Sequence, residues 1–253
     1  MGAVCRNEQQ FPQLMMLNDR IAPADGMLAA NREHYFAAGQ SALHCIRVSM
    51  LAAGVETFRN ILDLPCGYGR VLRHLRFAFP EARLTACDIN TGGIQFCATT
   101  FGATPVQGDE SARKIQLEGN YDLIWMGSLL THLDSIHSAE FVETLSAQLS
   151  VKGLLVFTIH GRTALERMRS EASVYALDSS GVAEILRQYE DDGYGFARYP
   201  EGFATGAEEN YGISLTSPCW IFRQIEKSQR LRLLNYSEGA WDNHQDVVTF
   251  RRV

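Results

Sequence analysis

His132, His160 and His244 each stand where a side chain can act on a bound molecule. The first two follow the apolar runs "YDLIWM" and "GLLVFTI", and the third lies in "WDNHQD", a polar turn between two further apolar runs. A neutral imidazole takes up a proton near physiological pH, so each is a candidate general base, although a single histidine is more often a hydrogen-bonded structural residue. A second group of residues surrounds "ILDLPCGYGRVLRHL", residues 61–75. There an apolar strand pattern gives way to a helical one through a turn holding Gly67 and Gly69. A helix N-terminus offers unpaired N–H groups, and glycine lets a ligand approach the backbone where a Cβ would collide. Asp88 lies nineteen residues beyond Gly69, where a carboxylate accepts hydrogen bonds from ribose hydroxyls, with Ile89 beside it. Asp109 and Glu110, after "TPVQG", offer acceptors for an adenine amino group, and an acidic pair in a loop is as often simply solvated. Gly127 and Ser128 supply small residues after "YDLIWM".

These positions need a scaffold that brings strand ends together. Polar residues dominate the first thirty positions, after which "NREHYFAAGQSALHCIRVSMLAAG" carries apolar residues at helical spacing and stops at Gly54, a suitable C-cap. From residue 61 strand and helix patterns alternate: "ILDL", a helix from about Arg70, "LTACDI", a helix around "GGIQFCATTF", "TPVQGD", "YDLIWMGS", a helix around "AEFVETLSAQL", then "GLLVFTIHG". Alternation of this kind builds βαβ units around a parallel sheet, and such sheets bind ligands outside the carboxyl ends of their strands. Residues 163 to about 214 are polar, glycine-rich and weakly periodic, which suits a lid or substrate loop. The chain closes with "SPCWIFRQIEKS" as a helix and two strands, "LRLLNYSEG" and "QDVVTFRRV", near enough to form a hairpin. Aromatic residues of the lid and hairpin, Tyr175, Tyr194, Tyr199, Tyr211 and Trp241, are candidate walls for a small acceptor, though most such residues pack.

Composition narrows the partners. A net charge of −6 without a basic run speaks against a nucleic-acid backbone, and no apolar stretch approaches bilayer length. The six cysteines (Cys5, Cys45, Cys66, Cys87, Cys97, Cys219) show no metal-type spacing and read as reduced thiols. No metal is expected, since His132 and His137 lie five apart and share no helix face. "MGAVCRNEQQ" has no apolar signal core, so the cytoplasm is the expected location and a small molecule the expected partner.

"DLPCGYGR", "ACDIN", "GDE" and "YDLIWMGSLLTHLD", in this order and spacing, resemble the successive motifs of class I S-adenosylmethionine-dependent methyltransferases, over about residues 58–160. The resemblance implies an α/β, Rossmann-like, doubly wound sheet of about seven strands, mostly parallel, with an antiparallel last strand. Residues 1–57 then form an N-terminal helical cap and 58–253 the methyltransferase domain, with the lid inserted at about 163–214. It further implies S-adenosylmethionine as cofactor. Cys66, Gly67 and Gly69 would line its methionine portion, Asp88 would hold the ribose and Asp109 the adenine, with Gly127 and Ser128 beside the methionine chain. Tyr35, on the leading helix, has two readings: the helix folds over the cofactor, as the family often arranges, or it only covers the sheet edge. Pro65 replaces the first glycine of the family's loop, fixing φ and removing an N–H. If the last two strands form a hairpin with the family's topology, its turn lies at the cofactor edge, and the three histidines surround one pocket. His132 and His244 are favoured as bases of a small-molecule methyltransferase, with oxygen ahead of nitrogen as the acceptor atom, and His160 is placed third. Two other readings stay open: a nicotinamide-dependent Rossmann oxidoreductase, although Leu72 stands where G-x-G-x-x-G needs its third glycine, and a cofactor-binding protein without turnover.

Overall fold

The computed structural model describes residues 16–28, 31–200 and 211–253. The alternation of apolar runs in the sequence becomes a two-faced sheet because successive side chains of a strand point to opposite sides. Strands β1 (Asn60–Asp63), β4 (Tyr121–Met126) and β5 (Leu149–Ile159) show this most clearly. Ile61, Leu123, Trp125, Leu154 and Val156 enter one core, while Leu62, Ile124, Met126, Leu155 and Phe157 enter the other. With β2 (Arg83–Asp88) and β3 (Thr104–Gln107), these strands pair in parallel. The closing hairpin, β8 (Leu231–Trp241) and β9 (Gln245–Arg252), completes a seven-stranded sheet in the order β3-β2-β1-β4-β5-β9-β8. β9 runs antiparallel between β5 and β8. The hairpin turn therefore shares an edge with the carboxyl ends of the parallel strands.

The leading helix α1 (Arg32–Ala53) covers the first face. The Asn31 side chain accepts from the His34 N–H at its start, and Gly54, with φ 64°, ends it. Its turn-to-turn stripe of Ala42, Leu43, Ile46, Met50 and Ala53 packs against the sheet. On the same face lie α2 (Leu72–Ala78) and α3 (Thr91–Phe101), and across the sheet lie α4 (Ser135–Ala147) and α7 (Pro218–Glu226). No described helix is long and apolar enough to cross a membrane.

The segment expected as a polar lid is largely built structure; its residues 201–210, like Cys5, lie outside the described residues. Helices α5 (Arg162–Ser170) and α6 (Ser179–Asp192) and a two-stranded antiparallel sheet of β6 (Tyr194–Arg198) and β7 (Gly212–Thr216) enclose a separate core. Ala164, Met168, Val182, Ile185, Ile213 and Leu215 are buried in it. The glycines that suggest looseness mark close approach instead: a Cβ on Gly195 would lie 2.1 Å from the Ile185 carbonyl oxygen. Asp178 caps α6 by accepting from the Gly181 N–H at 2.9 Å, and Gly193, with φ 75°, ends it.

Candidate active site

The turn after β1 needs glycine for two different reasons. Gly67 and Gly69 both take left-handed backbone, φ 50° and 80°. A Cβ on Gly69 would strike the Phe101 ring at 2.5 Å, whereas one on Gly67 would meet nothing within 4 Å. Gly67 thus leaves open the space a ligand needs. Its N–H donates to Asp88 Oδ2 at 2.7 Å, while Asp88 Oδ1 accepts from the Asn90 N–H at 2.8 Å. Each oxygen keeps a lone pair for another donor. Burial raises the pKa of Asp88 and these N–H groups oppose the rise. Ile89 is 61 % exposed, an apolar surface beside the carboxylate that suits the face of a flat base. Cys66 is buried under the turn, with Pro65 half-buried after a cis Leu64–Pro65 bond.

Asp63, at the carboxyl end of β1, is the residue that motif reading passes over. Both carboxylate oxygens are buried and neither has a hydrogen-bond partner among the described residues. Burial, and then the charge of Asp88, push its pKa well above the usual carboxylate range, opposed by Arg70. A buried carboxylate without donors is costly unless a cation or strong donor joins it. The amino group of a methionine moiety supplies both.

Tyr35 stands on α1 with its hydroxyl turned into the protein. It is buried, its hydroxyl donates to Asp25 at 2.6 Å and accepts from Arg73 at 3.0 Å. Arg73 in turn donates to the carbonyl of Gly69 at 3.1 Å. Tyr35 therefore braces the glycine turn from behind, with its hydroxyl already committed. Asp109 accepts from the Ser111 N–H and lies 3.7 Å from Lys114 Nζ; Glu110 is exposed next to it. After β4, a Cβ on Gly127 would come within 2.6 Å of the Trp125 indole nitrogen, and Ser128 holds φ 58° without being glycine. Unusual backbone of this kind concentrates at functional sites.

The structure brings the three histidines together. The ring centroids of His160 and His244 lie 5.3 Å apart, and those of His132 and His160 6.5 Å. Three tyrosines of the insert cover them. Tyr211 stacks on His132 at 4.9 Å, Tyr175 stacks on His160 at 5.0 Å, and the Tyr199 ring lies 6.1 Å from His132. Tyr175 sits in a turn, bridged by Val174 and Leu177, in which it and Ala176 have φ 54° and 60°. Its hydroxyl lies 3.3 Å from His244 Nε2. The other two aromatic residues proposed as walls do not join: Tyr194 is buried, donating to the Leu133 carbonyl, and the Trp241 indole N–H donates to the Ala38 carbonyl in the core beneath α1.

Two of the imidazoles have a defined tautomer. His132 Nδ1 lies 2.9 Å from the Gly212 carbonyl and His160 Nδ1 3.1 Å from that of Ser214. A carbonyl can only accept, so Nδ1 carries the proton in both and Nε2 keeps its lone pair. Burial lowers all three pKa values. His160, fully buried and between the other two, is lowered to about 3. Neutral imidazole is a base. A groove of about 640 Å³ between α4 and α7, lined by Ile136, Glu140, Trp220 and Arg223 among others, contains none of these residues.

Residues 62–155 match the family model described as a methyltransferase domain. A malonyl-(acyl-carrier protein) O-methyltransferase of Priestia megaterium is 28% identical over 113 residues, 44% of this chain and 40% of that protein. The protein of the same name from Anoxybacillus flavithermus is 28% identical over 130 residues, 51% and 49% of the two chains. The chain thus spans less than half the length of these relatives. Among solved structures, Streptomyces venezuelae DesVI superposes with a TM-score of 0.61 at 16% identity, over 92% of this chain and 100% of the other. An S-adenosylmethionine-dependent methyltransferase of Clostridium acetobutylicum gives 0.57 at 15%, over 90% and 95%. The strand order, the glycine turn and the domain match define a class I methyltransferase fold. Residues 62–155 carry a methyltransferase domain.

Proposed function

We propose that the protein transfers a methyl group from S-adenosylmethionine to a hydroxyl oxygen of a small-molecule acceptor, with His132 as general base. The observation that carries this reading is the shared edge: an open glycine turn over an unpartnered Asp63, and a cluster of neutral histidines, meet at the carboxyl ends of one sheet. Bound S-adenosylmethionine supplies a methyl group already activated on a sulfonium sulfur. Asp63 suits the cationic amino group, Asp88 the ribose hydroxyls and Ile89 one face of the adenine, with Gly67 giving room for the chain between. Solved relatives of the same fold include the N-methyltransferase NodS of Bradyrhizobium japonicum in complex with S-adenosyl-L-homocysteine, at a TM-score of 0.51 and 15% identity over 84% of this chain and 86% of that one.

The rest of the chemistry is alignment and proton removal. His132 is favoured because its Nδ1–H is fixed by Gly212, which leaves the lone pair on Nε2, and because it is less buried than His160. His244, held against Tyr175, orients the acceptor, and His160 supports both rings. A cytoplasmic setting agrees with the five described cysteines, all free thiols. A screen of small hydroxylated acceptors with cofactor labelled in its methyl group tests the reading. Label is expected in a methyl ether product, and His132→Ala should lower turnover about 10²-fold or more while leaving the dissociation constant of S-adenosylhomocysteine within about threefold. Labelled product from His132→Ala at the wild-type rate would remove the histidine from the reaction.

A further inference from the structure

Three side chains at the carboxyl edge close a ring of hydrogen bonds that the site as described does not use. The Ser128 backbone N–H donates to Thr158 Oγ1 at 2.7 Å, the Thr158 hydroxyl donates to Gln245 Oε1 at 2.6 Å, and Gln245 Nε2 donates to Ser128 Oγ at 3.1 Å. Each member gives one bond and takes one, an arrangement in which neighbouring bonds strengthen one another. Thr158 is fully buried, and Ser128 carries the left-handed φ of 58° that a non-glycine residue adopts only when its surroundings hold it there.

The corners of the ring belong to three strand ends with different tasks. Ser128 follows β4, on the cofactor side. Thr158 is in β5, two residues before His160, and Gln245 directly follows His244. Because a trans peptide holds its N–H and C=O antiparallel, the bond from Ser128 N–H toward β5 turns the Gly127 carbonyl away from β5. In the strand order β1-β4-β5, that is the side of β1, where Asp63 and the glycine turn lie.

We infer that the Ser128–Thr158–Gln245 ring is a positioning device for methyl transfer, fixing the Gly127–Ser128 peptide for the cofactor and tying that peptide to the strand end that carries His244. The inference rests on the cofactor reading above. Two consequences follow: loss of the ring weakens cofactor binding although no ring bond is made to the glycine turn or Asp88, and cofactor binding is felt at His244 only while the ring is closed.

The test titrates S-adenosylhomocysteine into wild type, Thr158→Val, Thr158→Ser and Gln245→Met by calorimetry, with imidazole ¹⁵N spectra of His244 recorded on the same samples. Valine keeps the shape of threonine and removes its hydroxyl; serine keeps the hydroxyl; Gln245→Met, at a half-buried position, gives a second way to open the ring if Thr158→Val does not fold. Thr158→Val and Gln245→Met should bind about tenfold or more weakly, and Thr158→Ser within about threefold of wild type. The His244 resonance should move on ligand addition in wild type and Thr158→Ser and stay still in the opened variants. Wild-type affinity in folded Thr158→Val or Gln245→Met, with the His244 response intact, would overturn the ring's role while leaving the cofactor reading standing. A wild type that binds no S-adenosylhomocysteine would overturn both.

Discussion

Asp63 sets the most demanding condition in the molecule, because two buried carboxylate oxygens without partners raise its pKa and cost stability until something cationic arrives. That cost makes a specific expectation. A cationic ligand favours the ionised form, so binding of S-adenosylhomocysteine should release protons, read as an enthalpy that changes with the ionisation heat of the buffer. Asp63→Asn, similar in shape but unable to balance a cation, should bind about tenfold or more weakly and lose that buffer dependence. Undiminished affinity in Asp63→Asn would place the amino group elsewhere. Asp63 stands in plain view inside "ILDLPCGYGR", yet its lack of partners is a three-dimensional fact that no motif expresses. The same holds for Tyr35. Its position on an amphipathic helix is legible, but its commitment to Asp25 and Arg73 depends on residues ten and thirty-eight positions away. His132, His160 and His244 were easier to place, because each follows from strand order and the side of the sheet on which a turn must fall.

Among the elements, β7 does more than its five residues suggest. One edge pairs with β6 inside the insert, while the carbonyls of Gly212 and Ser214 accept from His132 and His160, and the Thr216 N–H donates to the His160 carbonyl at 2.8 Å. The insert's own core thus stands behind the tautomers of two candidate site residues. Ile185, on α6, is fully buried in that core. Truncating it to alanine should cost the insert about 2–4 kcal/mol of local stability. Faster proteolytic cutting between residues 162 and 216 is expected, with turnover reduced and S-adenosylhomocysteine affinity unchanged. If cutting increases and turnover does not fall, β7 is not what holds the histidines. The sequence reads poorly here for a physical reason. Val182 and Ile185 give α6 a narrow apolar stripe among charges, and Gly195 and Gly212 are small because backbones approach there, so the composition of a folded insert imitates that of a loop. The parallel strands were legible because burial on both faces leaves them nearly continuous apolar runs.

At the scale of the whole molecule, burial of histidine makes folding sensitive to acid as pH falls below about 6.5. His74, on α2 and packed against Gly39 of α1, has no partner for Nε2 among the described residues; it is 2 % exposed and its pKa is lowered from 6.5 to about 4 by burial and then by Arg73. His160 is lowered further, to about 3. For a group depressed in the folded state, the unfolded chain binds the proton first. Stability is therefore whole above pH 6.5 and is lost progressively as pH falls toward the folded value, by up to about 1.4 kcal/mol per pH unit for each group. Asp63 and Asp88 act with the opposite sign, since their raised pKa values let the native state take up protons before the unfolded chain does. The net slope mixes both, so a difference between proteins isolates the histidine. Urea unfolding of wild type and His74→Gln at pH 7 and pH 5 should show the wild type losing about 2 kcal/mol more than the variant between the two pH values, whatever their absolute stabilities. The carboxylates cancel in that comparison because both proteins carry them. Equal losses would mean that His74 titrates in the folded protein as it does in the unfolded chain, and that the contact between α1 and α2 admits the proton that its close packing at Gly39 excludes.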